Sequence, residues 1–257
     1  METLLISRQD GVVTVTMNRP AKKNAANDVM WRELLETFRA VATNPEDRVM
    51  VLTGAGGEFC SGADLSGRGD QSNVSSLTRM RVITDVCLAL QRIPQPTIAK
   101  VRGVAVGAGC NMALVCDLVV ASDNARFSEI FSKRGLSVDF GGTWALPRLV
   151  GMHRAKELAF FADIISAKEA EEIGLVNRMM PDGEVDAFVD GWARRLAAGP
   201  PIALAQTKRM INNSINATLE QALEDEASAQ ANNFNTRDTA EAMAAFLEKR
   251  EPRFTGR

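Results

Sequence analysis

The sequence predicts an α/β protein: repeated units of strands and a helix, followed by a helical C-terminal region. Three observations carry this expectation. Short β-branched runs at residues 12–17 (VVTVTM), 49–53 (VMVLT) and 97–101 (TIAKV) alternate with segments of helical periodicity. The second and third runs each lead to a glycine-rich stretch, 59–65 (FCSGADL) and 103–117 (GVAVGAGCNMALVCD). From Val185 onward the apolar spacing is almost wholly helical.

Taken in order, residues 4–8 and 12–17 form a hairpin about the Asp10-Gly11 turn, and Asn18-Arg19-Pro20 ends it. Asn27 or Asp28 caps a helix that runs to about Ala42, with Val29, Leu34, Leu35, Phe38 and Val41 on one side. Strand 49–53 follows. Residues 54–70 are polar and glycine-rich and read as a mobile loop. A second amphipathic helix spans 79–92 and stops before Pro94 and Pro96. Strand 97–101, a glycine turn, a buried helix from Cys110 to Val115 and strand 118–122 complete the second unit.

Residues 125–151 are irregular, with an isolated acid at Asp139 and a helix expected over 143–149. Helices are predicted over 154–161 and 166–173, the second opened by Ser166 with Glu169 at capping-box spacing. After an extended piece at 176–179, helices span 185–198, 202–214, 218–233 and 238–248, with Gly199-Pro200-Pro201 as a rigid break. The reading divides the chain into a core, 1–198, and a helical region, 199–257. That tail cannot bury all its apolar positions by itself, so packing on another subunit is expected.

The 257 residues suffice for one large domain, and 46% hydrophobic with 24% charged residues is ordinary for a globular protein. A net charge of −2 and no basic stripe argue against nucleic-acid binding. No apolar run reaches the roughly 18 residues of a membrane span, and METLLISRQDG does not resemble a signal peptide, so a cytoplasmic protein is expected. Four cysteines without a CxxC pair read as reduced thiols. His153 is the one histidine, which leaves little material for a metal site or a histidine-dependent triad.

The glycine stretches carry the chemistry. A strand that runs into glycine lets backbone approach a ligand closely. The first amides of a helix lack intrahelical partners and can point at a developing negative charge. The two stretches are therefore expected to donate one N–H each to a shared anion.

NRPAKKNA, FCSGADL, GVAVGAGCNMALVCDLVVAS, the GL…GGTWALPRLVG run, SAKEAEEIGLVN and the KREPRFTG ending, in that order, resemble the crotonase (enoyl-CoA hydratase/isomerase) superfamily across essentially the whole chain. The resemblance implies a spiral of ββα units with a C-terminal helical region that builds trimers, often paired into hexamers. It implies that the N–H groups of Ala63 and Ala108, flanked by Gly62, Asp64 and Gly107, hold the thioester oxygen of an acyl-CoA as it becomes an enolate. Leu65 would line the acyl pocket. Arg19, Lys22 and Lys23 would meet CoA phosphates, and Lys249 and Phe254 would reach a neighbour's CoA. Coenzyme A arrives as the substrate thioester; no resident cofactor and no metal are implied.

The family's two hydratase glutamates would fall at Asn111 and Phe131, and neither residue can carry a proton. Asp139 remains. Members with aspartate there include dienoyl-CoA isomerases, an aryl-CoA dehalogenase and 1,2-epoxyphenylacetyl-CoA isomerases, and the sequence is most similar to the last. It departs from that pattern at Val138, where proline is usual, and at Phe140, where a small residue is usual. Apolar neighbours Leu136, Val138, Phe140 and Trp144 predict a desolvated, more basic Asp139; a helix N-cap is its other reading. Glu129 is a second acid near Phe131, which a helical local structure would turn to another face. The reading is an isomerase that moves a double bond through an oxyanion-stabilised (di)enolate. A hydratase with atypical acids and a non-catalytic acyl-CoA binder are the alternatives. No Walker loop or GxGxxG supports nucleotide chemistry.

Overall fold

Period-two alternation along the strands produces a sheet covered on both faces. The computed structural model describes residues 1–66 and 75–257. The chain opens with β1 (Leu4–Gln9), β2 (Val12–Met17), α1 (Asp28–Thr43), β3 (Val49–Gly54) and α2 (Ser76–Gln91). It continues with β4 (Thr97–Val101), β5 (Val104–Val106), α3 (Ala108–Val115), β6 (Leu118–Ser122), β7 (Arg126–Ser128) and α4 (Gly142–Phe161). After β8 (Ile165–Ser166), α5 (Ala167–Glu172) and β9 (Arg178–Met180), it ends in α6 (Val185–Ala197), α7 (Pro201–Ser214), α8 (Leu219–Phe234) and α9 (Arg237–Glu248).

Among the described residues, one sheet has the order β1-β2-β3-β4-β6-β9, parallel except for the β1–β2 hairpin. Val13, Val15, Met17, Met50, Leu52, Ala99, Val101, Val119 and Ala121 face a core shared with α1, α2 and α3. The residues between them, Val49, Val51, Ile98 and Val120, face Val185, Val189 and Ala193 of α6. Successive side chains point to opposite faces, so a one-residue slip would exchange the two sets. In α1, Met30, Leu34, Phe38 and Val41 are fully buried, and each such side chain contributes about 1.5–3 kcal/mol.

Local signals behave as the sequence predicts. Asp10 and Gly11 both take positive φ, 51° and 78°, as a tight hairpin turn requires. The Asn27 side chain caps α1 by accepting from Met30 N (3.0 Å), and Ser166 caps α5 by accepting from Glu169 N (3.2 Å). Helices expected over 143–149 and 154–161 run together as α4 across Gly151 (φ 75°). Two corrections follow. The stretch around Phe59 is no free loop: Phe59 and Cys60 are fully buried and pair with Arg102 and Val104. The last part of that predicted loop, residues 67–70, lies outside the described residues. Within the stretch beginning at Gly103 and the irregular 125–151 segment, β5 and β7 pair in parallel, with β8 antiparallel beside β7. Strands of three residues are too short to announce themselves by alternation.

The helical region begins after Gly199. Arg48 donates to the Gly199 carbonyl (2.8 Å), and Lys208 of α7 pairs with Asp117 (2.7 Å). Leu219, Phe234, Phe246 and Leu247 stay largely exposed in the single chain. Among the described residues no helix is long and apolar enough to cross a membrane.

Candidate active site

Backbone pairing brings the two glycine stretches together. Cys60 N donates to the Val104 carbonyl (2.9 Å) and Val106 N to the Cys60 carbonyl (3.0 Å), so the first stretch lies parallel to β5. Ala63 follows on the first strand of this pair and Ala108 opens α3 after the second. Neither amide has an acceptor among the described residues. Gly62 has φ +98°, and a Cβ there would stand 2.9 Å from the Val106 carbonyl oxygen and 3.8 Å from Ala108 N. The space between the two amides therefore depends on a residue without a side chain.

Gly109 is the tightest point of the junction. A Cβ there would lie 2.2 Å from the Cys60 carbonyl oxygen. Helix propensity favours alanine over glycine by about 1 kcal/mol, but Gly109→Ala must push the first stretch off α3. We expect a net destabilisation of about 1–3 kcal/mol and roughly a hundredfold loss of turnover from displaced amides. A urea midpoint and a steady-state assay check this; a stabilised, fully active variant contradicts it.

Asn24 and Arg19 hold the first stretch from below. Asn24 Nδ2 donates to the carbonyls of Ala55 (2.9 Å) and Glu58 (2.6 Å). Arg19 donates to the Asp64 carboxylate (2.9 Å) and to the Ala25 carbonyl. Hydrogen bonds from Ser66 and then Arg19 pull the Asp64 carboxyl down to about 2. Arg19 thus pairs with Asp64, and Asp64 is an anchor of the loop. Lys22 and Lys23 are exposed, Lys23 within 3.0 Å of Glu58. Leu65 is about half exposed. Lys249 ends α9 and is exposed, and Phe254 lies half-buried beyond it; α9 packs on α8. The tail is held there by buried Asp238, which accepts from Thr255 N and Gly256 N.

One turn into α3, Asn111 is fully buried. Its Nδ2 donates to the Asp139 carbonyl (2.9 Å) and to Glu129 Oε2 (3.2 Å). Phe131 is buried, its ring beside Gly107. Asp139 is half-buried in the loop before α4. It is not the cap of that helix: Gly141 holds the cap position, with no side-chain bond. Phe140 follows in a left-handed conformation (φ 49°), a conformation that costs a non-glycine residue roughly 1–2 kcal/mol. Its buried ring lies 5.7 Å from Trp31, and this packing fixes the turn that carries Asp139. Cys87 of α2 lies alongside: burial, then the Asp139 charge, push its thiol up to about 11.

Glu129 is the residue that sequence reasoning turned away from the site. The segment before it is strand, not helix, and Glu129 follows directly on the buried Phe127 and Ser128 of β7. It is 3% exposed. Burial pushes its carboxyl up to about 7, hydrogen bonding from Asn111 and Cys110 opposes the shift, and the Asp139 charge adds to it. Asp139 is half-buried with its Oδ1 out of solvent, while Leu136 and Trp144 beside it are partly exposed.

The arrangement offers two unsatisfied amides, one half-buried carboxylate, and a buried carboxyl behind an amide side chain. A sequence profile described as enoyl-CoA hydratase/isomerase matches residues 7–257. The chain is 38% identical over 261 residues to 1,2-epoxyphenylacetyl-CoA isomerase of Escherichia coli, with full coverage of both. It is 35% identical over 257 residues to 2,3-dehydroadipyl-CoA hydratase of the same organism, again with full coverage of both. The crystal structure of enoyl-CoA hydratase from Bacillus anthracis superposes with a TM-score of 0.93 at 31% identity, covering 99% of this chain and 100% of that one.

Proposed function

The chain belongs to the enoyl-CoA hydratase/isomerase family of the crotonase superfamily, and from that premise we propose that it is an acyl-CoA isomerase with Asp139 as its proton carrier. One observation supports this most directly. The Asn111 side chain ties the Asp139 backbone to α3 (2.9 Å), the helix that Ala108 opens, while the two positions of the family's hydratase acids hold Asn111 and Phe131.

In this scheme the Asp139 carboxylate takes a proton from the γ-carbon of an enoyl-CoA. The C–H electron pair becomes a new double bond, and charge moves through the conjugated system onto the thioester oxygen. The amides of Ala63 and Ala108 hold that oxygen. They meet more charge in the dienolate than in the substrate, so they favour the transition state. One such donor is worth about 3 kcal/mol. Asp139 then returns the proton to the α-carbon, so no proton is consumed and the double bond has moved. Gly62 and Gly107 give the thioester close access, Leu65 and Phe131 line the acyl side, and Lys22 and Lys23 face the CoA phosphates. Exposed apolar residues of α7–α9 pack on further copies of the chain, bringing Lys249 and Phe254 to a neighbour's CoA.

Hydration is the second reading. It is favoured by Asn111 Oδ1, which is buried without a hydrogen-bond partner among the described residues and suits an ordered water. A panel of enoyl-, dienoyl- and arylacetyl-CoA esters incubated in deuterated water separates the two. Isomerisation places deuterium at the α- or γ-carbon and shifts the double bond. A product that gains one water, with bleaching of the enoyl thioester absorbance and no isomer, overturns the isomerase assignment.

A further inference from the structure

Behind the Asn111 amide lies a carboxyl that the proton-transfer scheme does not use. Glu129 Oε2 accepts from Asn111 Nδ2 (3.2 Å), and the same amide group donates to the Asp139 carbonyl (2.9 Å). Glu129 Oε1 and Asn111 Oδ1 are both buried without a hydrogen-bond partner among the described residues. The amide thus links two acids from different elements, one at the end of β7 and one before α4. A carboxylate so poorly satisfied is costly to ionise in a buried site.

We propose that Glu129 is a positioning residue that sets the base strength of Asp139: it holds Asn111 against the Asp139 loop and presents a second carboxyl whose ionisation makes Asp139 bind its incoming proton more firmly. This rests on the reading of Asp139 as the base. Among the described residues, Cys110 of α3 and Asp139 act on Glu129, and Cys87 of α2 faces Asp139. Burial, then the Glu129 charge, keep the Cys110 thiol well above its usual range, and Cys87 is held up at about 11. Neither thiol ionises near neutrality, and no cation is among the groups that shift Glu129. With Glu129 brought up to about 7, its charge appears within the working range. Two like charges in one site raise each other's proton affinity.

The test is the pH profile of substrate proton exchange into deuterated water. The wild-type rate is expected to rise severalfold through the ionisation of Glu129. In Glu129→Gln, which keeps an acceptor for Asn111 but cannot ionise, the rate stays level over the same range. A step that persists in the glutamine variant, or a wild-type profile without one, overturns the proposal. A second measurement does not depend on that variant folding or on turnover. By reciprocity of coupling, Asp139→Asn must move the Glu129 midpoint down, read by NMR of carboxyl-labelled glutamate. An unmoved midpoint overturns the coupling. Exchange that survives Asp139→Asn instead sinks the base assignment, a distinguishable result.

Discussion

Asp139→Asn is expected to lower the rate of double-bond migration by about 10²–10⁴-fold, the usual contribution of a positioned general base. The substitution keeps the size of the side chain and removes the group that can accept a proton. The bond that locates the loop is made by the Asp139 backbone carbonyl, which accepts from Asn111 and from Gly142 N, so the turn survives. Phe140 still anchors it against Trp31. The amides proposed to hold the thioester, those of Ala63 and Ala108, are untouched, so binding is expected to be retained while turnover falls. Separate kcat and KM values, with deuterium incorporation as a second readout, check this. Unchanged exchange in the variant removes Asp139 from the mechanism.

Glu129→Gln is expected to change the dependence of stability on pH, and the sign is unusual for a carboxyl. Burial raises Glu129 in the native state from its ordinary 4.5 to about 7. Between those values the native chain binds a proton that the unfolded chain has released, so native stability falls as pH rises. The cost is absent below the unfolded pKa and complete above the folded one. A difference of about 2.5 units corresponds to about 3 kcal/mol. Glutamine stays neutral throughout. Its new N–H₂ group adds a pH-independent offset of about 1–3 kcal/mol if it finds no acceptor. The slope therefore carries the test. Urea unfolding of both proteins at several pH values should show the variant gaining on the wild type by about 3 kcal/mol from mildly acidic to mildly alkaline conditions. Parallel curves mean that Glu129 is ionised at all these pH values, or that it is exposed.

Much of the framework was legible because its signals are local. The positive φ at Asp10 and Gly11, the caps at Asn27 and Ser166 and the break before α7 each depend on a few adjacent residues. The central strands alternate faces over enough positions to be read as strands. The shorter strands β5 and β7 were not legible, because each is held by pairing with residues distant in sequence. That Asp64, 45 residues later, takes the Arg19 guanidinium is not visible locally either. The sequence shows Phe140 as a bulky departure from the family pattern. That it buries its ring near Trp31 and fixes the Asp139 turn is a long-range fact.

By itself, then, the sequence determined the family, the two amides expected to share an anion, and the absence of a carboxyl at Asn111 and Phe131. Side-chain identity is enough for each of these, because glycine, asparagine and phenylalanine have fixed chemical capacities wherever they lie. Only the tertiary structure decided which acid lies beside the Asp139 loop. β7 pairs with β5 in parallel, and the Asn111 amide reaches both Glu129 and the Asp139 loop. Burial then acts on both acids: Glu129 is nearly dry, and Asp139 is half-buried with its Oδ1 out of solvent. Desolvation belongs to a position in space, not to neighbours along the chain.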